Sequence, residues 1–234
     1  MQIMRVTRTH FMPVSMARRT AMLGGVAALA AGCTSLQGFG AVVTPPQLYA
    51  LSPKSTFAGD LPRIRAQIVV DEPTAAAAVN TDRIAVRPHP LKVEYFPGVR
   101  WVDRVPLMVQ VLLMESYENT GQVLSVGRRA SGLNGDFTVL TDLREFQAET
   151  TAVTAPGAAQ PVAPNDVRLS INVRFNMKVV KEPQGLIVSS ETFDARVEAA
   201  SQDMLDVASA FDLALGRCIR DAVEWSLQEI ASRQ

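Results

Sequence analysis

The sequence is short of the residues that catalysis and metal binding use. It holds two cysteines, Cys33 and Cys218, and two histidines, His10 and His89. His89 stands between Pro88 and Pro90, where a lone histidine reads as an exposed loop side chain. With one such histidine and one further thiol, no metal set of the usual spacing can be assembled. No G-x-S-x-G elbow and no G-x-x-x-x-G-K phosphate loop occur, and Ser131-Gly132 reads as a turn. No catalytic residue, cofactor site or metal site is assigned, and the protein is expected not to be an enzyme. No basic run is present and the chain is neutral overall, which does not suit nucleic acid, where phosphate neutralisation leads binding. The longest run of small and apolar residues, Ala21 to Ala31, is too short for a membrane span of about 20 residues.

What is present begins with that run. Arg5, Arg8, Arg18 and Arg19 precede or flank it, and the first 32 residues hold no acid. A basic stretch, a short apolar stretch and small residues at a junction read as a secretory signal. The junction Leu29-Ala30-Ala31-Gly32-Cys33 resembles the bacterial lipobox, with Leu29 one step further out than usual. That resemblance implies cleavage before Cys33 and acylation of Cys33, palmitate included. Thr34-Ser35-Leu36-Gln37-Gly38 is a small, polar tether. Thr34 follows the cysteine where an Asp would signal retention, which by the same resemblance implies transfer to the outer membrane. The expected organisation is a lipoprotein signal over 1–32, a lipidated tether over 33–46 and a domain over 47–234. Removing the signal leaves 19 basic against 23 acidic side chains, a net charge of −4. The pair Arg18-Arg19 leaves both the general secretory and the twin-arginine routes open, and both Met1 and Met16 stand as starts. With Cys33 acylated, Cys218 has no disulfide partner and falls on the apolar side of a predicted helix as a small buried residue.

Past the stiff Pro45-Pro46, short strands are expected at Tyr49–Leu51, Arg63–Val70, Asp82–Arg87 and Lys92–Phe96. A short helix is expected from Asp71 through Ala78. Pro88 and Pro90 mark Asp82–Arg87 as an edge strand, and Pro97-Gly98 as a turn. Tyr95, Phe96, Val99 and Trp101 form an apolar cluster that reads as core. A helix should start near Asp103 as N-cap and end by Gly121. Its residues Leu107, Met108, Val109, Val111, Leu112, Leu113 and Met114 surround most of the cylinder, so it needs cover on more than one side, from this chain or from another copy. Strands follow at Gln122–Val126 and Thr138–Ala148. On a regular strand Asp142, Glu145 and Glu149 fall on different faces and read as solvated charge. Thr150–Asn165, rich in Ala, Pro and Thr, is a long loop. Val167–Val179 alternates strictly, with Val167, Leu169, Ile171, Val173, Phe175, Met177 and Val179 on one side, the mark of an antiparallel strand with one wet face. Glu182–Gly185 turns the chain into a partner strand, Leu186–Ala199. A final helix has Ser201 as N-cap and a stripe of Val207, Phe211, Leu215, Cys218, Ala222 and Trp225. These elements give an α+β fold, a mostly antiparallel sheet with two main helices packed on one face.

The residues also resemble a known family, the ABC-type transport auxiliary lipoproteins. The pieces that carry the resemblance are Leu48-Tyr49-Ala50-Leu51, Asp82 to Arg87, Tyr95 with Arg100 to Leu107, Leu143 to Phe146, and Phe211 to Leu215 with Trp225. They run in order over about residues 47–230, behind the lipobox. The resemblance implies a periplasmic lipoprotein, anchored in the inner leaflet of the outer membrane. It would serve as a non-catalytic partner of an MCE-type ABC transporter (an MCE protein, a permease and an ATPase) that moves lipids between the two membranes. The all-round apolar helix leaves two further possibilities, a homo-oligomer and a stand-alone lipid carrier with a cavity between helix and sheet.

Overall fold

The structure is a computed structural model that describes residues 44–129, 135–152 and 167–234. In chain order the strands and helices are β1 (Gln47–Tyr49), β2 (Ile64–Val70), β3 (Thr74–Ala75), β4 (Arg83–His89), β5 (Lys92–Trp101), α1 (Val105–Asn119), β6 (Val123–Gly127), β7 (Phe137–Ala152), β8 (Val167–Lys181), β9 (Leu186–Glu198) and α2 (Met204–Ala231).

Strand β7 is the axis of the nine-stranded sheet. One of its edges is taken along its whole length by β8, from Phe137 opposite Lys181 to Ala152 opposite Val167, and β9 continues the antiparallel ladder beyond β8. Its other edge is shared by three short parallel strands in succession: β2 beside Phe137–Val139, β3 beside Asp142–Leu143, and β4 beside Ala148–Glu149. Strand β6 extends the sheet from β2, and β5 followed by β1 extends it from β4. The fold is α+β, as expected, but the sheet is mixed. The two longest ladders are antiparallel, whereas five of the eight strand pairings are parallel.

Three local expectations are corrected. Residues 71–78 are not a helix, because the edge of β7 between β2 and β4 needs ladder partners and Thr74–Ala75 supply them. Strand β4 is interior, not an edge. Its ladder with β7 ends at Arg87, one residue before Pro88, so the proline is never asked for an N–H that it lacks. Pro97-Gly98 does not reverse the chain. Between the pairings Arg83–Arg100 and Ala85–Tyr95, β5 has four residues where β4 has one, and Gly98 absorbs the excess at φ +70°.

Helix α1 is capped by Arg104, with no side-chain hydrogen bond, rather than by Asp103. At its other end Gly121 takes φ +63° and donates its N–H to Glu118 O, as a terminating glycine does. Helix α2 is capped by Asp203, whose carboxylate accepts from Leu205 N–H at 2.8 Å, and Ser201 instead donates to Asp206.

The alternation in β8 is realised: Ile171, Val173, Phe175, Met177 and Val179 are wholly buried. Each helix has side chains in contact with the sheet. Phe211 of α2 lies against Phe146 of β7, and the Tyr117 hydroxyl of α1 approaches Met177 Sδ and shares a 2.5 Å hydrogen bond with Ser226 of α2. Burial pushes the Tyr117 hydroxyl well above its ordinary range.

Most of the apolar helix is covered by the chain itself, and Leu107, Val111 and Met114 stay half-buried. The segment 51–61 lies over both helices as a strap. Ser52 N–H donates to Asp212 Oδ1 at 2.6 Å, Lys54 N–H to Ser116 Oγ at 2.9 Å, and Ala58 N–H to Glu224 Oε1 at 2.8 Å. Phe57 and Leu61 pack against the core from this strap. With β2 and β6 on one side and α2 on another, Val109 and Leu113 are fully buried without a second chain.

Candidate functional site

Three of the pieces that carry the family resemblance are far apart in sequence and meet at one place. Trp101 at the end of β5, Phe146 of β7 and Phe211 of α2 form an aromatic triad. The Trp101 ring is 5.9 Å from Phe146 and 5.1 Å from Phe211, both edge to face, and Phe146 is 5.0 Å from Phe211. All three are buried to within about one per cent of their area. So Trp101 is core, as read. Val99 is buried beside it and Tyr95 and Phe96 are half-buried.

Charged residues of the β4 and β5 pieces make contacts at the surface around Trp101. Arg100 grips Asp82 with two bonds of 2.9 and 2.8 Å, which holds the Asp82 carboxyl below its ordinary range. Trp101 N–H donates to Asp82 O at 2.7 Å. Arg83 lies over the Tyr95 ring at 3.6 Å, and the Tyr95 hydroxyl donates to Ala78 O. Arg104 reaches Asn80 and Glu72. These residues lock loop 71–82 to the start of α1, so their roles are structural.

The other face of the sheet is polar. A bulge between Leu143 and Glu145 shifts the phase of β7 by one residue, and Arg144 is the extra one. Asp142, Glu145 and Glu149 therefore sit opposite Asn176, Arg174 and Ser170, which all lie on one face of β8. The expectation that these carboxylates scatter over two faces is corrected, since a bulge leaves no mark that alternation alone can show. Each is tied to a neighbour: Asp142 to Arg144 and Thr74, Glu145 to Arg174 and Asn172, and Glu149 to Arg87 and Arg196. The Arg196 side chain keeps 59 % of its exposure, so this network is open to a partner. At the opposite end of β7, Arg129 joins Asp71 and Glu182, and its hydrogen bond to Asp71 raises its pKa further above the usual range.

The remaining predicted positions divide as follows. Cys33 and Ser131 lie outside the described residues. Cys218 is buried against β8, its Sγ 3.6 Å from Val173 O, and loss of water with help from Asp194 and Asp221 pushes its thiol up to about 12. The His89 ring accepts Leu91 N–H at Nδ1, 3.2 Å, and holds the β4–β5 turn. Among the described residues no group of three or more His, Cys, Asp and Glu is placed to hold a metal ion, and no helix is long and apolar enough to cross a membrane.

Comparison with known proteins places this geometry. Residues 47–223 match the family model of the ABC-type transport auxiliary lipoprotein component. An uncharacterized protein of Bradyrhizobium diazoefficiens is 29% identical over 221 residues, which is 91% of this chain and 52% of that protein, so the chain spans about half the length of this curated relative. A crystal structure of a Xanthomonas campestris protein superposes with a TM-score of 0.69 at 24% identity, covering 80% of this chain and 98% of that one. A second, an uncharacterized protein, superposes at 0.52 with 8% identity over 81% of this chain and 99% of that one. Both likenesses concern the fold.

Proposed function

The chain belongs to the ABC-type transport auxiliary lipoprotein family, and from that premise we propose that it is a periplasmic, lipid-anchored, non-catalytic docking component of an MCE-type ABC transporter. The signal 1–32 is removed, Cys33 is acylated, and the tether 33–46 holds the domain 47–234 to the inner leaflet of the outer membrane. There it receives the conduit that an MCE protein forms from the inner-membrane permease and ATPase, through which lipids cross the periplasm. The observation that carries this reading is the family match over residues 47–223, whose first residue is also the first of β1.

The geometry supports a contact role. The reading takes the two helices as one layer on the apolar face of the sheet, which leaves the polar face of β7, β8 and β9 for a protein partner. Glu145 and Glu149 there are engaged with arginines and an amide. The stand-alone lipid carrier rests on an apolar helix in want of cover, and the strap and α2 supply most of that cover, leaving Leu107, Val111 and Met114 half-buried.

Crosslinking in cells, followed by affinity capture of the full-length protein and mass spectrometry, tests the proposal, with Cys33→Ala in parallel. Recovery of a permease, an ATPase and an MCE protein, lost in Cys33→Ala, is the expected result. Recovery of outer-membrane proteins alone would overturn the transporter role.

A further inference from the structure

We propose that the tip of the β4–β5 hairpin is a membrane contact, with Leu91 and Val93 entering the surface of the bilayer that holds the Cys33 lipids. The proposal deepens the anchoring half of the function above and rests on acylation of Cys33.

Pro88 to Glu94 are all exposed. Leu91 keeps 91% of its area, more than any other large apolar side chain among the described residues. A solitary exposed leucine is ordinary on a protein surface. What distinguishes this one is that the tip is built and that β1 begins at its end nearer the tip. The Arg87 guanidinium donates to Pro90 O and His89 Nδ1 accepts Leu91 N–H, so the turn is held from both sides. The charges at the tip are spent internally: Arg87 on Glu149 and Lys92 on Glu94. The tip thus offers an apolar wedge without a surplus charge, so its attraction to a bilayer rests on the apolar area it buries there.

The direction follows from register. Gln47 lies beside Val99 and Tyr49 beside Trp101, so β1 runs parallel to β5 and away from the hairpin tip. The first residue of β1 is therefore its end nearer the tip. Thirteen residues, Thr34 to Pro46, separate Cys33 from β1. Fully extended they span about 45 Å, whereas β5 between Val99 and Lys92 covers only about 23 Å. The tether is long enough for the acyl chains to be in the bilayer while the tip rests on it.

The full-length protein in neutral phosphatidylcholine vesicles tests this. A thiol-reactive fluorophore is placed by Leu91→Cys, and by Leu124→Cys on β6 at the other end of the sheet, where Leu124 is 66% exposed. Cys218 is buried and stays unlabelled in the folded protein. The protein should float with the vesicles. The label at position 91 should be about threefold less accessible to aqueous iodide than that at 124, and quenched by brominated acyl chains, as an interfacial side chain is. Flotation with equal iodide access at both positions would overturn the membrane contact and leave the anchor standing. Protection from iodide without quenching by brominated lipid would mean that protein covers the tip, and would overturn it too. Failure to float would overturn the anchor and this proposal together.

Discussion

Replacing Phe211 by alanine tests whether the distant family pieces really converge. Phe211 is wholly buried and touches Trp101 of β5 and Phe146 of β7, so its removal opens a cavity where helix, hairpin limb and central strand join. Deleting a phenyl ring from a core costs about 3–5 kcal/mol, since the surrounding structure closes only part of the space. For a domain of this size each kcal/mol lowers the melting temperature by about 2–4 °C, so the expected drop is roughly 6–20 °C. Phe211→Leu keeps most of the volume and loses the ring contacts, and should cost about 1–1.5 kcal/mol. Leu213→Ala, two residues along the same helix but 56% exposed, should stay within about 0.5 kcal/mol of the parent. The assay is thermal unfolding of the full chain in detergent, followed by the fluorescence of its two tryptophans, Trp101 and Trp225. If Phe211→Ala and Leu213→Ala melt together, the triad is not the joint between these elements and the account of the family pieces as a packing set is wrong.

Three further outcomes are expected. Tyr117→Phe should lose about 1 kcal/mol, because it strips a buried hydrogen bond from Ser226, and adding Ser226→Ala should recover part of that loss in urea titrations. The Cys218 thiol should resist an aromatic disulfide reagent at pH 8 until the protein unfolds. Its pKa is higher folded than unfolded, so its contribution to stability is full below the unfolded value and is lost as pH rises from there towards about 12. Replacing it with alanine should soften the alkaline fall in melting temperature. Asp82 is shifted the other way, by the Arg100 bonds. Its contribution is present above the unfolded carboxylate value and lost as pH falls through the lower folded value, so Asp82→Asn should melt further below the parent at pH 7 than at pH 2, by a small margin since the pair is exposed.

What the sequence determined by itself is what short-range chemistry controls. Strict alternation marked β8 and its buried face, because the side-chain period of a strand is two residues. The apolar stripe marked the second helix, and Gly121 marked the end of the first. Scarcity of histidine and cysteine turned the reading away from chemistry before any fold was in view, and the ordered motifs pointed to the family.

Tertiary structure decided the rest, because it depends on partners that are distant along the chain. Thr74–Ala75 is extended only because the edge of β7 has a gap there, and a helix would leave those ladder groups unpaired. The parallel pairings arise because β2, β3 and β4 run in succession along the same edge, a fact of topology with no local signal. One bulged residue, Arg144, gathers Asp142, Glu145 and Glu149 onto a single face, and no pattern within β7 announces it. Part of the cover over α1 and α2 comes from segment 51–61, whose backbone N–H groups reach Ser116 of α1 and Asp212 and Glu224 of α2. A polar, proline-marked loop looks alike in sequence whether it hangs in water or lies across two helices, since only the acceptors waiting on the other elements make the difference.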